Sequence, residues 1–299
     1  MLMEKVWLSI LFFLFCCPVY GQWALPHISV AHVRTEPRHG AEMSTQALMG
    51  NPLRVDSLTA NGWAAVTLPD GYTGYIIENS LTLLDDKSLD DWRKSDRGII
   101  ASLHEVCGYA DSLKNSPVTD FVAGDIVVFT GAVAHGCTKV LLPDSRECWV
   151  DDGYIMSLDE LAFTGMDAVL EMAYAQMGVP YLWGGLSTKG MDCSGLTKLA
   201  FFSSGIILPR DASQQVSVGL PVGIAELIPG DLVFYGNQST GRVNHVALYE
   251  GEGMVIEAAG RVRRNKVEAA GAVITARRLD VGSLPSVASH PWYYSKNVE

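Results

Sequence analysis

The sequence predicts an α+β domain preceded by two small all-β barrels. Three observations lead there. The first half contains an internal repeat of short strand-like segments separated by Gly, Pro and Asp turns. From about Asp159 the texture changes to two helical stretches followed by a run of strands. The chain has 299 residues, 48% of them hydrophobic, enough for several separate cores. The same composition excludes a disordered chain, and six cysteines are too sparse for a disulfide scaffold of this length. A net charge of −11 repels phosphate backbones, so no nucleic-acid partner is expected.

Residues 1–21 read as a signal peptide. Lys5 precedes an apolar run that Pro18 ends, and Val19 and Gly21 stand at −3 and −1 to a cleavage that leaves Gln22 first. The run is shorter than the roughly 20 residues a spanning helix needs. Cys16 and Cys17 raise the question of a lipoprotein, but the residues before them are not small, so plain export is expected. The mature chain has no other run long enough to cross a bilayer. It is expected to be periplasmic or extracellular, and a monomer. The further divisions expected are a first barrel over 22–84, a connector and second barrel over 85–158, and an α+β domain over 159–299.

The repeat aligns 50–76 with 124–150 without gaps. Gly50, Gly62, Val66, Leu68, Pro69 and Asp70 meet Gly124, Gly136, Val140, Leu142, Pro143 and Asp144. Each copy reads as strand, turn, strand, Pro-Asp turn, strand. The intervening 85–97 (DDKSLDDWRKSDR) reads as a solvated connector. After signal removal four cysteines remain. Cys137 and Cys148 lie close enough in sequence for a disulfide in an exported protein, or for two separate thiols.

In the last part, Val169, Met172, Ala173 and Gln176 recur at helical spacing over 166–176, which Gly178 and Pro180 end. A second helix is expected over 193–204 with Gly205 as its stop. Strands follow over 232–235, 243–249 and 254–258. Asp192 can cap the second helix, and Cys193 opens it. Unpaired backbone N–H groups and a partial positive charge at that position favour thiolate over thiol. The alternative is a buried structural cysteine.

The next strands decide how to weigh that alternative. Val246 and Leu248 alternate with His245 and Ala247; Met254 and Ile256 alternate with Val255 and Glu257. A three-residue loop, Glu250-Gly251-Glu252, would pair Val246 with Ile256 and set His245 directly opposite Glu257. The chemistry this suggests is a Cys193 nucleophile, a His245 proton shuttle, and a Glu257 carboxylate that orients the imidazole. Elsewhere the histidines lack metal-ligand spacing, so no metal or cofactor is expected. The segment RVRRNK at 261–266 reads as a solvated strand or loop.

The stretches VRTEP, AEMSTQ and DGYTGY (33–37, 41–46 and 70–75) resemble bacterial SH3 domains. The segment PYLWGGLSTKGMDCSG (180–195), with Pro209-Arg210-Asp211, Pro229-Gly230-Asp231-Leu232 and Asn244-His245-Val246, resembles the NlpC/P60 cysteine peptidases. That resemblance implies a papain-like fold, with Cys193 and His245 as nucleophile and base. It also implies that Tyr181 helps to bind the oxyanion beside the Cys193 backbone N–H. The family's third position, often His, falls on Glu257. Relatives with SH3-like domains ahead of the peptidase cleave after γ-D-glutamate in peptidoglycan stem peptides bearing a free N-terminal L-alanine. The resemblance then assigns the ammonium to Glu42, Tyr72 and Asp211. Asp192, Ser194 and Ser213 are further substrate-binding candidates, Ser194 for the D-glutamate α-carboxylate. The second copy has Arg146 in place of Tyr72, so only the first suits this role. Two other readings remain open at this stage: a cell-wall binding protein, and a hydrolase of intact cross-linked wall.

Overall fold

The computed structural model describes residues 22–102, 104 and 106–294; the expected signal peptide lies outside the described residues. Seven strands form the first sheet: β1 Gln22–Pro26, β2 Val30–Arg34, β3 Met43–Leu48, β4 Leu53–Leu58, β5 Trp63–Thr67, β6 Thr73–Ile77 and β7 Leu81–Leu84. After helix α1 (Asp86–Lys94), seven more form the second: β8 Arg97–Ile100, β9 Val106–Tyr109, β10 Pro117–Phe121, β11 Ile126–Ala134, β12 Cys137–Leu141, β13 Glu147–Asp151 and β14 Ile155–Ser157. The strand orders are β3-β2-β6-β5-β4-β1-β7 and β10-β9-β13-β12-β11-β8-β14, the same path through both copies of the repeat. Aligned turns also repeat their bonds: Gly50 N–H donates to the Pro26 carbonyl, and Gly124 N–H to that of Ile100.

The two sheets meet at those equivalent turns. Asp125 is fully buried and accepts the N–H groups of Met49 and Val122, both at 2.9 Å. Burial pushes its carboxyl well above the ordinary value, against these two bonds. Asn51 donates to the Gly124 carbonyl at 2.9 Å. Arg146 pairs with Asp144 and donates to the carbonyls of Val118 and His27, so it spans both sheets.

The charged segment 85–97 is not a solvated connector. Asp85 caps α1 by accepting the Ser88 N–H, and Leu89 and Trp92, three residues apart, are buried. Arg97 is buried too, held over the rings of Trp92 and Tyr294 at 4.5 and 4.8 Å. Helical phase hid this, because within α1 the buried residues Leu89 and Trp92 are spaced among charges. Cys137 and Cys148 are free thiols. Cys148 stands opposite Val140 in the β12–β13 ladder and Cys137 opposite Asp151. Val140 and Cys137 are three positions apart, an odd step along the strand that sends the two sulfurs to opposite faces.

The last part holds α2 (Met166–Ala175), the short pair β15 (Leu186–Ser187) and β16 (Gly190–Met191), α3 (Cys193–Phe202) and α4 (Ala212–Gln215). Its six-stranded antiparallel sheet follows: β17 Leu220–Val222, β18 Leu232–Asn237, β19 Arg242–Gly251, β20 Met254–Ala259, β21 Arg261–Lys266 and β22 Val273–Arg278, in the order β17-β22-β18-β19-β20-β21. Helices α2 and α3 pack Val169, Met172, Leu196 and Leu199 against Phe234, Val246, Leu248 and Ile256. The opposite face buries Val233, Ala247, Val255 and Ala276.

The β19–β20 hairpin differs from the expected register. Leu248 pairs with Ile256 and Gly251 with Met254, so the loop is Glu252-Gly253. Both loop residues have positive φ, 52° and 74°, the signature of a type I′ turn. A bulge falls between Tyr249 and Gly251, at Glu250, whose buried carboxylate accepts from Tyr174 at 2.5 Å and Arg264 at 2.6 Å. The shift is two residues. An even slip keeps every side chain on its expected face.

Gly50 has φ +69°, and a Cβ there would lie 1.9 Å from the Ile126 carbonyl oxygen of the second sheet. Gly62 has φ +78° with nothing within 4 Å. Gly50→Ala should therefore destabilise by roughly 2–4 kcal/mol and Gly62→Ala by about 1 kcal/mol in denaturant unfolding. Equal losses would show that the approach between the sheets carries no weight.

Candidate active site

Cys193 opens α3 behind Asp192, an extended N-cap whose carboxylate accepts the Gly195 N–H at 2.7 Å. Asp192 is also held by the Gly184 N–H at 2.9 Å and by Arg210, Nη2 at 2.7 Å and Nη1 at 3.0 Å. Arg210 is 1% exposed. Its remaining bonds go to Ser194 Oγ at 2.9 Å, to the Gly185 carbonyl and, at 2.7 Å through Nε, to Thr45 Oγ1 on β3 of the first sheet. Burial alone would lower the pKa of this guanidinium; Asp192 and Asp211 more than offset that. Edge strand β3 docks further through Gln46, which accepts the Leu186 N–H at 2.8 Å. Gly184 permits the approach, since a Cβ there would lie 2.4 Å from the Met43 carbonyl oxygen.

His245 sits on β19 opposite Tyr235, its ring 5.6 Å from the tyrosine's. Its Nε2 lies 2.7 Å from Glu257 Oε2, although Glu257 stands diagonally rather than directly across. Burial opposes the charged imidazole, yet hydrogen bonds to Cys193 and Glu257, and the charges of both, raise its pKa to about 9. Glu257 is 1% exposed. Burial works against its ionised form, but His245, Asn265 and Arg263 hold its pKa below the usual carboxylate value.

A cleft of about 580 Å³ runs past the sulfur. It is lined from the α+β domain by Tyr181, Trp183, Asp192, Cys193, Ser194, Asp211 and Ser213, and from the first sheet by Glu42 and Tyr72. The Tyr72 hydroxyl donates to Asp211, 3.3 Å from Oδ2, and its pKa is pushed up to about 12 by burial and by that carboxylate. Burial also raises the pKa of Asp211, against the pull of Arg210. Glu42 accepts from the indole of Trp183 at 2.6 Å. Burial, then Cys193 and Asp192, push Tyr181 up to about 12. Ser194 donates to Asp192 at 3.2 Å, so its hydroxyl is already bonded on both sides. The residues singled out from the sequence thus line one cleft, except that His245 adjoins its sulfur and Glu257 adjoins His245.

Sequence reasoning missed four side chains that build this site. Arg210 and Trp183 lay within quoted motifs, but nothing in the sequence said what they would touch. Arg263 and Asn265 belong to the segment read as solvated. Strand β21 pairs with β20 over its whole length, and Arg263 stands directly opposite Glu257. Alternation about Val262 puts residues 263 and 265 together on the other face of β21, but nothing in the sequence sets that face against Glu257.

Comparison with known proteins agrees with this geometry. The NlpC/P60 family matches residues 178–278, which span the sulfur, the imidazole and the carboxylate. The chain carries an NlpC/P60 domain. Ahead of it, residues 33–81 match the bacterial dipeptidyl-peptidase SH3 domain, the segment that supplies Glu42 and Tyr72. A gamma-D-glutamyl-L-lysine dipeptidyl-peptidase of Bacillus cereus is 36% identical over 122 residues, 40% of this chain and 37% of that protein. The match therefore spans well under half the length of that relative. Dipeptidyl-peptidase 6 of Lysinibacillus sphaericus is 26% identical over 249 residues, 77% of this chain and 84% of that one. Among solved structures, an NlpC/P60 family protein from Bacillus cereus superposes with a TM-score of 0.74 at 22% identity, covering 86% of this chain and 99% of that one. This last likeness concerns the fold, and it extends from the NlpC/P60 domain through the all-β region.

Arg210 anchors the sulfur's helix to the first sheet. Replacing it with Met should cost roughly 3–5 kcal/mol of stability, because Asp192 would remain buried without its cation. Urea unfolding measures this; a loss under about 1 kcal/mol would show that the pair is not an anchor.

Proposed function

We propose that this chain is a cysteine endopeptidase of peptidoglycan stem peptides, cutting between γ-D-glutamate and the L-diamino acid when the N-terminal L-alanine is free. The reading includes a papain-like catalytic domain, two SH3-like barrels ahead of it, and export after cleavage near Gly21. The observation that carries it is the composition of one cleft. Cys193 and His245 stand at its sulfur end, and Glu42, Tyr72 and Asp211 converge on the same space. The names of the relatives support the same substrate class.

In this reading the Cys193 thiolate, paired with the His245 imidazolium, attacks the γ-carbonyl carbon of D-glutamate. Negative charge develops on the carbonyl oxygen, where the Cys193 backbone N–H and the Tyr181 hydroxyl can donate. A raised pKa keeps that hydroxyl protonated, as a donor must be. Collapse of the intermediate breaks the C–N bond, and His245 gives its proton to the leaving α-amine. Water, deprotonated by the same imidazole, then hydrolyses the thioester. Glu257 orients the ring and favours its charged form. The substrate ammonium would meet the Glu42 and Asp211 carboxylates and the Tyr72 oxygen, all acceptors. A site for a free ammonium suits released fragments rather than intact wall, where lactyl-linked muramic acid occupies the amine.

Two assays test this reading. Cys193→Ala should abolish release of L-Ala-γ-D-Glu from the free tripeptide, and acetylation of the substrate amine should cost at least tenfold in kcat/KM, about 1.4 kcal/mol. Equal rates on both substrates would remove the ammonium-binding role of Glu42, Tyr72 and Asp211.

The pH dependence follows from His245. Its pKa is raised, so the imidazolium persists below about 9 and is lost above it. Activity should fall as pH rises through about 9. The imidazolium's contribution to stability should be full below about 6.5, the ordinary histidine value, and be lost over the same rise. A basic limb near pH 7 would contradict the pairing.

A further inference from the structure

We propose that Arg263 and Asn265 are positioning residues for Glu257, holding its carboxylate so that a single oxygen, Oε2, serves His245. The inference rests on the peptidase reading above, and it gives the segment 261–266 a part in that site.

The geometry divides the carboxylate cleanly. Oε2 faces His245 Nε2 at 2.7 Å. Oε1 accepts from Arg263 Nε at 3.0 Å and from Asn265 Nδ2 at 2.8 Å, and Arg263 Nη2 lies 2.9 Å from it in the ion pair. Two N–H donors and the guanidinium charge on one oxygen oppose rotation of the group that would offer both oxygens to the imidazole, or neither. They also answer an energetic problem. A carboxylate 1% exposed is costly to keep ionised, and a neutral carboxyl would no longer favour the imidazolium. One cation and one amide, both on a neighbouring strand, offset that cost.

Among the described residues, no other side chain donates to Glu257. Tyr235 on β18 packs against the imidazole, and its buried hydroxyl has no hydrogen-bond partner among the described residues. Cys193 on α3 acts on the same ring, and Glu268 acts on Tyr235. Among the described residues, Arg263 is the cation paired with Glu257 besides His245. Neither Arg263 nor Asn265 lines the cleft, so neither is placed to touch substrate. Strand β21 is the edge of its sheet and the Arg263 side chain is 46% exposed, so substitution there leaves the core packing in place.

The test uses the full mature chain carrying Arg263→Gln with Asn265→Ala, and Arg263→Lys alone as the conservative variant. Carbamidomethylation of Cys193 by iodoacetamide, followed against pH, reads the sulfur–imidazole pair without any peptide substrate. In the double variant its low-pH limb should move upward by at least ~0.5 pH unit, as Glu257 takes up its proton more readily. On the tripeptide, kcat should fall roughly tenfold with KM unchanged within about twofold. Arg263→Lys should recover most of both. An unmoved alkylation profile overturns the proposal, whether thermal unfolding is unchanged or merely lowered, since a structural role alone would shift stability and not the limb. A wild-type enzyme that alkylates normally but leaves the tripeptide uncut would instead defeat the substrate reading and leave the positioning test intact.

Discussion

Arg210 is buried where the first sheet, the loop before Cys193 and the start of α3 converge, and a guanidinium in that position must find partners for its donors. It finds Thr45 on one side and Asp192, Ser194 and Gly185 on the other. Asp192 in turn is the N-cap of the helix that carries the proposed nucleophile. One desolvated ion pair thus fixes the sulfur relative to both its own helix and the neighbouring sheet. Breaking a buried pair on one side leaves an uncompensated charge, which makes loss of either partner costly. Glu42 directly precedes β3, the strand this node holds.

A second constraint operates across the α+β sheet. His245 and Glu257 meet diagonally because a bulge at Glu250 and a type I′ turn shift the hairpin by two residues. The faces survive that shift, and so does the contact, since a glutamate side chain spans a diagonal step. Buried Glu250 is itself bonded to Tyr174 on α2 and Arg264 on β21, which ties the bulge to the helix layer and to the sheet edge.

The doubled all-β region shows one path of chain put to two uses. Both copies follow the same strand order. In the first, the residue after the Pro-Asp turn region is Tyr72, which enters the cleft and bonds Asp211. In the second, the equivalent Arg146 turns to the carbonyls of Val118 and His27 and braces the copies against each other. Lys189, from the loop between β15 and β16, bonds Ser29 of the first copy and Asp120 of the second, so the domain bearing Cys193 contacts both.

Local signals in the sequence carried a great deal: the repeat, the helix starting at Cys193 with Asp192 before it, and the face shared by His245 and Glu257. Each is written in short-range periodicity, because a strand or helix fixes side-chain direction from spacing alone. Partners from distant segments were not legible. Arg210 to Thr45, Trp183 to Glu42 and Arg263 with Asn265 to Glu257 depend on how sheets and strands pack, and a charged run such as 85–97 or 261–266 looks the same whether its cations face water or a buried carboxylate. Spacing along the chain sets most elements and the direction of their side chains. Which of those side chains lose their water together is settled by packing, since desolvation is a property of the assembled interior and not of any one segment.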